Sequence, residues 1–583
     1  MAQIPQAAKN YFRVPDLGEG RLHRFLPILG WLPAYKWGKW LRADLIAGIS
    51  VAALLIPESL AYAGIAGVSP EIGLYAAPLA LIGYAVFGRS KLLVVATSSS
   101  VAAVSAAVVG DIAADDESFV VLTAGLALMA GIVFLILGLL RFGWVANFLS
   151  KAVLEGFIIG LSISIIIGQL DELLGVELDG HNALLELGDA ISKVAHWDGL
   201  TVAVGVVSLA SLFVIERFLP RLPGALTVVV LAIVAVTVFE LDTEGLLIVG
   251  AIPTGLPSMG VPDIDAADLS ALLAGALAVV LIGFSEAYAA ATDMAKTTGE
   301  KINADQELIA YGVANVGAGI SSGMVVAGSL SKSKANEAAG AKTQVSNIIN
   351  AVIALLTLLF LAALFEKLPL ATLAAVVIHA LWHSANPRKL APFWKLNRFD
   401  FTLGFITLVS VLLFDTLPAV IIGVVLSLLV VIYRVSFPHT AELGRDRQTG
   451  VFEDLALHPE AERVYGVVLY RFDASLIYSN ALAFETEARR LVAAASPPAQ
   501  TLVIDGEMMA NIDSTGREVM AELIEHLADD GVEVVLARFH GPAIAALARH
   551  PELEPKVHDD LAHSPSEAVR RASRKHDDPA ADD

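Results

Sequence analysis

The sequence predicts an α-helical membrane protein of fourteen transmembrane segments in a seven-plus-seven inverted repeat, followed by a small cytoplasmic α/β domain. Three observations predict it. Hydrophobic residues fill 56% of the 583 positions and charged residues only 17%, with a mean hydropathy of +0.67, where soluble domains carry about 25% charge. Two stretches, Leu92–Gly110 (LLVVATSSSVAAVSAAVVG) and Met324–Gly340 (MVVAGSLSKSKANEAAG), share one form: extended apolar residues, a serine cluster, then a helix. Beyond Arg434 the pattern changes to short strands alternating with amphipathic helices.

Apolar segments run Leu45–Gly64, Ile72–Gly88, Leu92–Gly110, Val120–Leu140, Val145–Leu170, Leu200–Phe218 and Ala225–Phe239 in the first half. The second half has Leu269–Thr292, Leu308–Ile320, Met324–Gly340, Val345–Phe365, Leu370–Trp382, Phe401–Phe414 and Ala419–Tyr433. A full span takes about 20 residues, so several are short. With the N-terminus cytoplasmic, the inner loops carry Arg89, Lys91, Arg141, Lys151, Arg217, Arg221, Lys296, Lys301, Lys342, Arg388, Lys389, Lys395 and Arg398. The outer connections Asp111–Ser118 and Asp171–Gly199 are acidic, and Lys193 and Lys367 are the outer lysines. This alternation follows the positive-inside rule and puts both termini in the cytoplasm. The acidic stretch Glu240–Asp268 divides the segments seven and seven, and an odd number per half inverts the second half relative to the first.

The expected organisation is a cytoplasmic N-terminal segment (1–43), a transmembrane domain (44–435, repeats about 44–240 and 268–435), a linker (436–462), an α/β domain (463–563) and a disordered tail (564–583). In the α/β domain, strands fall at Val464–Phe472, Thr501–Asp505 and Val532–Ala537, and helices at Phe484–Ala495, Ser514–Ala528 and Ala543–Arg549. The net charge of −21 resides in outer loops and the C-terminal region and speaks against a nucleic-acid partner. The absence of cysteine excludes disulfides and thiolate chemistry. Met1–Trp40 has no cleavable signal pattern.

The two broken stretches are too short and polar to cross a bilayer alone, and irregular backbone at membrane depth survives only where it lines a cavity. Paired interruptions in corresponding places of two halves point to a transporter's binding site. Ser98, Ser99 and Ser100 lead one half-helix and Ser329 and Ser331 cap the other. Helix N-termini meeting there would offer N–H groups and positive dipole ends to an anion, and Lys332 adds a fixed charge. Pro57 opens the first span beside Glu58 and Tyr62, which lie one turn apart. Glu286 sits inside the eighth, with Asp293 two turns on near its cytoplasmic end. A charge at mid-helix costs ~2.5–3.5 kcal/mol, so an acid there is a functional candidate. The competing reading makes Glu286 a packing lock paired with Lys332. A bound anion and a proton on a buried neighbouring acid stabilise each other, about 1.4 kcal/mol per tenfold change, which gives proton–anion symport. In the soluble domain, Asp513 and Ser514 fit a helix N-cap, and Ser514 is also a candidate regulatory serine. RRAS (Arg570–Ser573) resembles a basic kinase site. No P-loop, dinucleotide fingerprint or metal cluster is expected, and no cofactor.

IPESLAYAGIAGVSPEIGLYAA (Ile56–Ala77), NADQELIAYGVANVGAGI (Asn303–Ile320), GSLSKSKANEAAGAKTQ (Gly328–Gln344) and the run Leu443–Ala481 closely resemble the sulfate permease (SulP) family, also called solute carrier family 26. IDSTG (Ile512–Gly516) resembles its C-terminal STAS domain. The resemblance covers nearly the whole chain. It implies core and gate subdomains, a homodimer, and anion transport by elevator-like movement of the core, without enzymatic activity. It implies a site at Ser99, Ser100, Val101 and Ser329, Leu330, Ser331, Lys332, near Glu58 and Tyr62 and beside Glu286. Many members carry glutamine where this chain has Glu58 and arginine where it has Lys332. Sodium-coupled relatives place a threonine one turn after the acid of span eight, where this chain has Ala290, which favours protons. The expected function is therefore proton-coupled uptake of a sulfate-like oxyanion, bicarbonate or a C4-dicarboxylate across the cell membrane. Sodium-coupled or exchange-type transport, a nucleobase permease and a membrane-anchored scaffold acting through a partner of the STAS domain are the alternatives.

Overall fold

The computed structural model describes residues 25–577 apart from 145–149, 181, 220–221, 254, 415 and 559. Residues 1–24 of the expected N-terminal segment, Arg221 of the expected inner charges and 578–583 of the expected tail lie outside the described residues. All fourteen sequence-predicted segments occur in order among the described residues, residues 145–149 of the fifth lying outside them. The first half contains α1 (Trp37–Ile65), α2 (Ala77–Phe87), β1 (Val94–Ala96) with α3 (Ser99–Gly110), α4 (Asp116–Leu139), α5 (Lys151–Gly168), α6 (Gly199–Phe218) and α7 (Gly224–Phe239). The second has α8 (Leu269–Thr298), α9 (Ala304–Ile320), β2 (Ala327–Ser329) with α10 (Leu330–Ala338), α11 (Val345–Leu356), α12 (Leu370–Trp382), α13 (Arg398–Leu413) and α14 (Thr416–Ser436). Among the described residues, seven helices are long and apolar enough to cross a membrane; the remaining segments are short or broken.

Local chemistry sets many of the starts. Asp115 and Ser118 form a capping box for α4. Asp198 accepts from Thr201 N at 2.8 Å for α6, and Asn303 from Gln306 N at 3.1 Å for α9. Helix α1 runs on through Pro57, which was expected to open it; the proline removes one N–H donor without ending the helix. Segment eleven departs from a single helix, continuing as a π turn over Thr357–Leu361 and a 3-10 turn over Ala362–Phe365. The long acidic connection holds a helix that its sequence did not announce, Ala183–Ser192, capped by Asn182.

The contacts repeat with a seven-segment offset. Helix α1 packs on α11 as α8 packs on α4; α3 meets α8 as α10 meets α1; α6 meets α12 as α13 meets α5. Helices α1–α4 and α8–α11 thus form one bundle, and α5–α7 with α12–α14 another, the expected division into core and gate. The two short strands pair antiparallel, Val94 with Ser329 and Ala96 with Ala327, as inverted halves require. Small residues permit the closest crossings: a Cβ on Gly156 of α5 would stand 2.0 Å from the Gly404 carbonyl of α13.

The C-terminal unit is a five-stranded sheet in the order β4-β3-β5-β6-β7, with β3 (Thr440–Arg445), β4 (Phe452–Asp454), β5 (Val467–Phe472), β6 (Thr501–Asp505) and β7 (Glu533–Ala537). Strands β5, β6 and β7 are parallel, whereas β3 is antiparallel to both neighbours. Alternate side chains serve two cores. Val468, Tyr470, Leu502, Ile504 and Leu536 face helices α15 (Ala481–Ala494), α16 (Ser514–Asp529) and α17 (Gly541–Leu547). Val467, Leu469, Val503 and Val535 face Ala568, Val569 and Ala572 of α18 (Pro565–Asp577). Two sequence expectations are corrected here. The supposed linker 436–462 supplies two strands of the sheet, and the tail expected to be disordered from Ser564 is helical over Pro565–Asp577. Its small apolar residues recur at helical spacing and bury against the sheet, a contact that polar composition concealed.

Candidate functional site between the broken segments

The serine-led segments bring their helix starts to opposite ends of the β1–β2 pair. Helix α10 begins after Ser329, whose Oγ accepts from Lys332 N at 3.4 Å. Ser98 precedes α3 and shares a hydrogen bond with Ser100 Oγ at 3.0 Å; Ser329 and Ser331 share one at 3.1 Å. Polar ties fix the crossing from behind. Val94 N donates to Ser333 Oγ at 2.9 Å, Asn336 Nδ2 to Leu92 O at 3.0 Å, and Asn347 Nδ2 to Leu93 O at 2.7 Å.

Lys332 reaches back from α10 to the start of the other half-helix. Its ammonium donates to Thr97 O at 3.2 Å, lies 4.9 Å from the centre of the Tyr62 ring, and pairs with Glu58 Oε2 at 2.5 Å. The Lys332 and Glu58 side chains are 1% and 5% exposed, so water does not screen this pair. The possible Glu286–Lys332 lock is not what forms: Lys332 takes its partner from α1. Glu286 instead accepts a hydrogen bond from the Ser100 hydroxyl, within α3's first turn. Gly283, one turn before Glu286, lets α8 approach: a Cβ there would meet Val101 Cγ1 at 3.3 Å.

The eleven expected membrane-site residues therefore divide into three tiers. Tyr62, Glu58, Ser98, Ser100, Val101, Ser329 and Lys332 are buried around the crossing. Ser99 and Glu286 are half-buried, and Leu330 and Ser331 are exposed at the mouth of α10. Ser514 lies in the separate C-terminal unit, exposed in the first turn of α16, with Asp513 as the N-cap accepting from Gly516 N at 2.8 Å. Asp293 pairs with Lys334 and Lys296 at 3.0 and 3.2 Å, tying α8 to α10 away from the crossing.

Sequence reasoning missed two buried acids that hold this frame. Asp44 of α1 accepts from Lys342 N (2.6 Å), Thr343 N (3.1 Å), Thr343 Oγ1 (2.8 Å) and Tyr35 OH (3.1 Å), fixing the chain where α10 gives way to α11. Glu307 of α9 accepts from Tyr84 OH at 2.8 Å and Arg89 N at 3.0 Å, fixing the approach to β1. Both are fully buried; an unpaired acid at those depths was the available signal. Ser59 and Thr97, hydrogen-bonded at 2.9 Å, were also overlooked. Glu453, His458 and Glu460 form a donor group close enough for a metal, half-buried to exposed in the C-terminal unit, which the sequence did not suggest.

Residues 41–407 match the model described as the sulfate permease family, and 458–559 the STAS domain. A protein named as a probable sulfate transporter of Mycobacterium tuberculosis (strain CDC 1551 / Oshkosh) is 33% identical over 505 residues, covering 86% of this chain and 90% of the relative. The structure of murine solute carrier 26 family member A9, an anion transporter in its inward-facing state, superimposes with a TM-score of 0.88 at 21% identity over 98% of both chains. The transmembrane domain of a cyanobacterial bicarbonate transporter, BicA, superimposes with a TM-score of 0.57 at 23% identity over 66% of this chain and 97% of that one. The broken crossing, the mirrored bundles and the matched sequence lead to one assignment: this chain belongs to the sulfate permease family of anion transporters, with a C-terminal STAS domain.

Proposed function

We propose that the chain imports a small anion together with protons, binding the anion between Ser98–Val101 and Ser329–Lys332 and releasing it by elevator-like movement of the core in a homodimer. The Glu58–Lys332 pair carries this reading. While Glu58 is ionised, it neutralises the cation that would otherwise face the two helix starts. A proton on Glu58 frees Lys332, so proton and anion favour each other's arrival. Glu286, beside Ser100, is the second proposed proton-coupling acid. Ala290 one turn beyond Glu286 is buried and offers no side-chain oxygen, which supports protons over sodium.

The relatives' names favour an inorganic oxyanion such as sulfate or bicarbonate, with a C4-dicarboxylate as the third candidate. Lys332 supports a small anion, because an ammonium is a point charge without the bidentate fork of arginine. The site of action is the cell membrane, with both termini cytoplasmic, as the loop charges support. In the STAS domain, Ser514 is the proposed regulatory position. Uptake of labelled sulfate, bicarbonate and C4-dicarboxylates into proteoliposomes, with and without an inward proton gradient, tests the reading. Uptake indifferent to the gradient for every anion would sink the coupling. A Glu286→Gln variant that kept the wild-type gradient dependence would remove Glu286 from it.

A further inference from the structure

We propose that the connector between α12 and α13, residues 383–397 with Arg398, docks the headgroup of an anionic phospholipid of the cytoplasmic leaflet. The choice of leaflet rests on the orientation proposed above. Helix α12 ends at Trp382 and α13 starts at Arg398, so the connector lies where one membrane helix leaves the bilayer and the next enters it. The two helices have 13 and 16 residues, fewer than the roughly 20 of a full span, which holds the connector at headgroup depth.

Its charge has one sign. His383–Phe399 reads HSANPRKLAPFWKLNRF, with Arg388, Lys389, Lys395 and Arg398 and no acid. All four cations are exposed, and Lys389 is also 3.8 Å from Glu155. A 3-10 turn (Pro387–Leu390), started by Asn386, and a short helix (Ala391–Leu396) shape the segment. Leu390 is buried with Ile159 of α5 and Leu408 of α13, and Phe393 packs on them, so one side is anchored in protein. The other side is bare and apolar: Leu396 is 83% exposed, Trp394 51% and Phe399 46%. Arg398 lies 5.3 Å from the centre of the Trp394 ring and Phe401 meets that ring edge-on at 4.9 Å, which orients the indole. An indole and a leucine bared beside four cations match the bilayer interface: the apolar groups enter the acyl boundary while the cations meet phosphate oxygens. Arginine forks suit phosphate in particular.

The test reconstitutes the full-length protein in mixed bilayers in which either phosphatidylglycerol or phosphatidylcholine is brominated. Quenching of Trp394 is read as wild type minus Trp394→Phe. Phosphatidylglycerol should be favoured at least tenfold beside Trp394. Lys395→Gln, a change at an exposed side chain that does not depend on folding, should lower that preference about fivefold. Replacing Arg388, Lys389, Lys395 and Arg398 together by glutamine should abolish it, as should salt of about 1 M. Equal quenching by both lipids would overturn the proposal. So would no quenching by either, the result if a second copy covers the indole, or a preference that inorganic phosphate removes at constant ionic strength. The chain has no cysteine, so Ala391→Cys reports its side of the membrane to an impermeant thiol reagent. Labelling from the outer side alone would overturn the orientation, and with it the leaflet, while the lipid preference is read independently.

Discussion

Lys332 Nζ lies 2.5 Å from Glu58 Oε2, so the cation in the first turn of α10 is held by an acid of α1. Breaking a buried ion pair by removing one member strands the other charge, at a cost of about 3–5 kcal/mol. Lys332→Met alone should therefore destabilise the protein by that order, and adding Glu58→Gln should restore part of it. Thermal unfolding of the single and double variants in detergent checks this; losses that simply add would contradict the pairing.

Glu58→Gln leaves Lys332 without its competitor. Anion affinity should then rise at least tenfold. Equilibrium binding of labelled sulfate and bicarbonate to the variant and the wild type checks this, and an unchanged affinity would exonerate Glu58.

Asp44 receives four hydrogen bonds, three of them from residues 342 and 343. Hydrogen bonds to a charged group contribute about 1.5–3 kcal/mol each, partly shared. Asp44→Ala should cost several kcal/mol and expose the α10–α11 connection, read as faster amide exchange over 339–345, whereas Asp44→Asn should lose less.

Gly156→Ala would place a methyl carbon 2.0 Å from a backbone oxygen of α13, which no side-chain rotation relieves. Overpacking of this kind costs about 1–3 kcal/mol or more. Gly188→Ala, inside the Ala183–Ser192 helix with nothing within 4 Å, should instead stabilise by about 0.5–1 kcal/mol. Melting temperatures moving in opposite directions are the expected result.

In the C-terminal unit, the Thr449 N–H and hydroxyl hold the Asp446 carboxyl below its ordinary pKa. A depressed carboxyl contributes stability that is complete above its unfolded pKa and is lost as pH falls through the lowered value. An NMR titration should find Asp446 ionising below the usual aspartate range, and Asp446→Asn should reduce the acid-side slope of the domain's stability.

The fourteen segments and the serine-led interruptions were legible because bilayer length and loss of hydrophobicity are local properties. The strand and helix limits of the STAS domain agreed to within a few residues for the same reason. The helix over Pro565–Asp577 was not legible: its burial rests on Ala568, Val569 and Ala572 meeting a sheet face, and those residues look solvated until the sheet exists. Strand β3 was hidden likewise, since its partner β5 begins after an intervening hairpin.

The chain alone determined which charges enter the membrane and at what depth: Glu58, Glu286 and Lys332 are written into apolar runs where each costs energy. It could not determine their partners. Whether Lys332 meets Glu58 or Glu286 depends on which helix faces which at the crossing. That choice rests on glycine-permitted approaches and on anchors such as Asp44 and Glu307, and it exists only once both repeats have folded together.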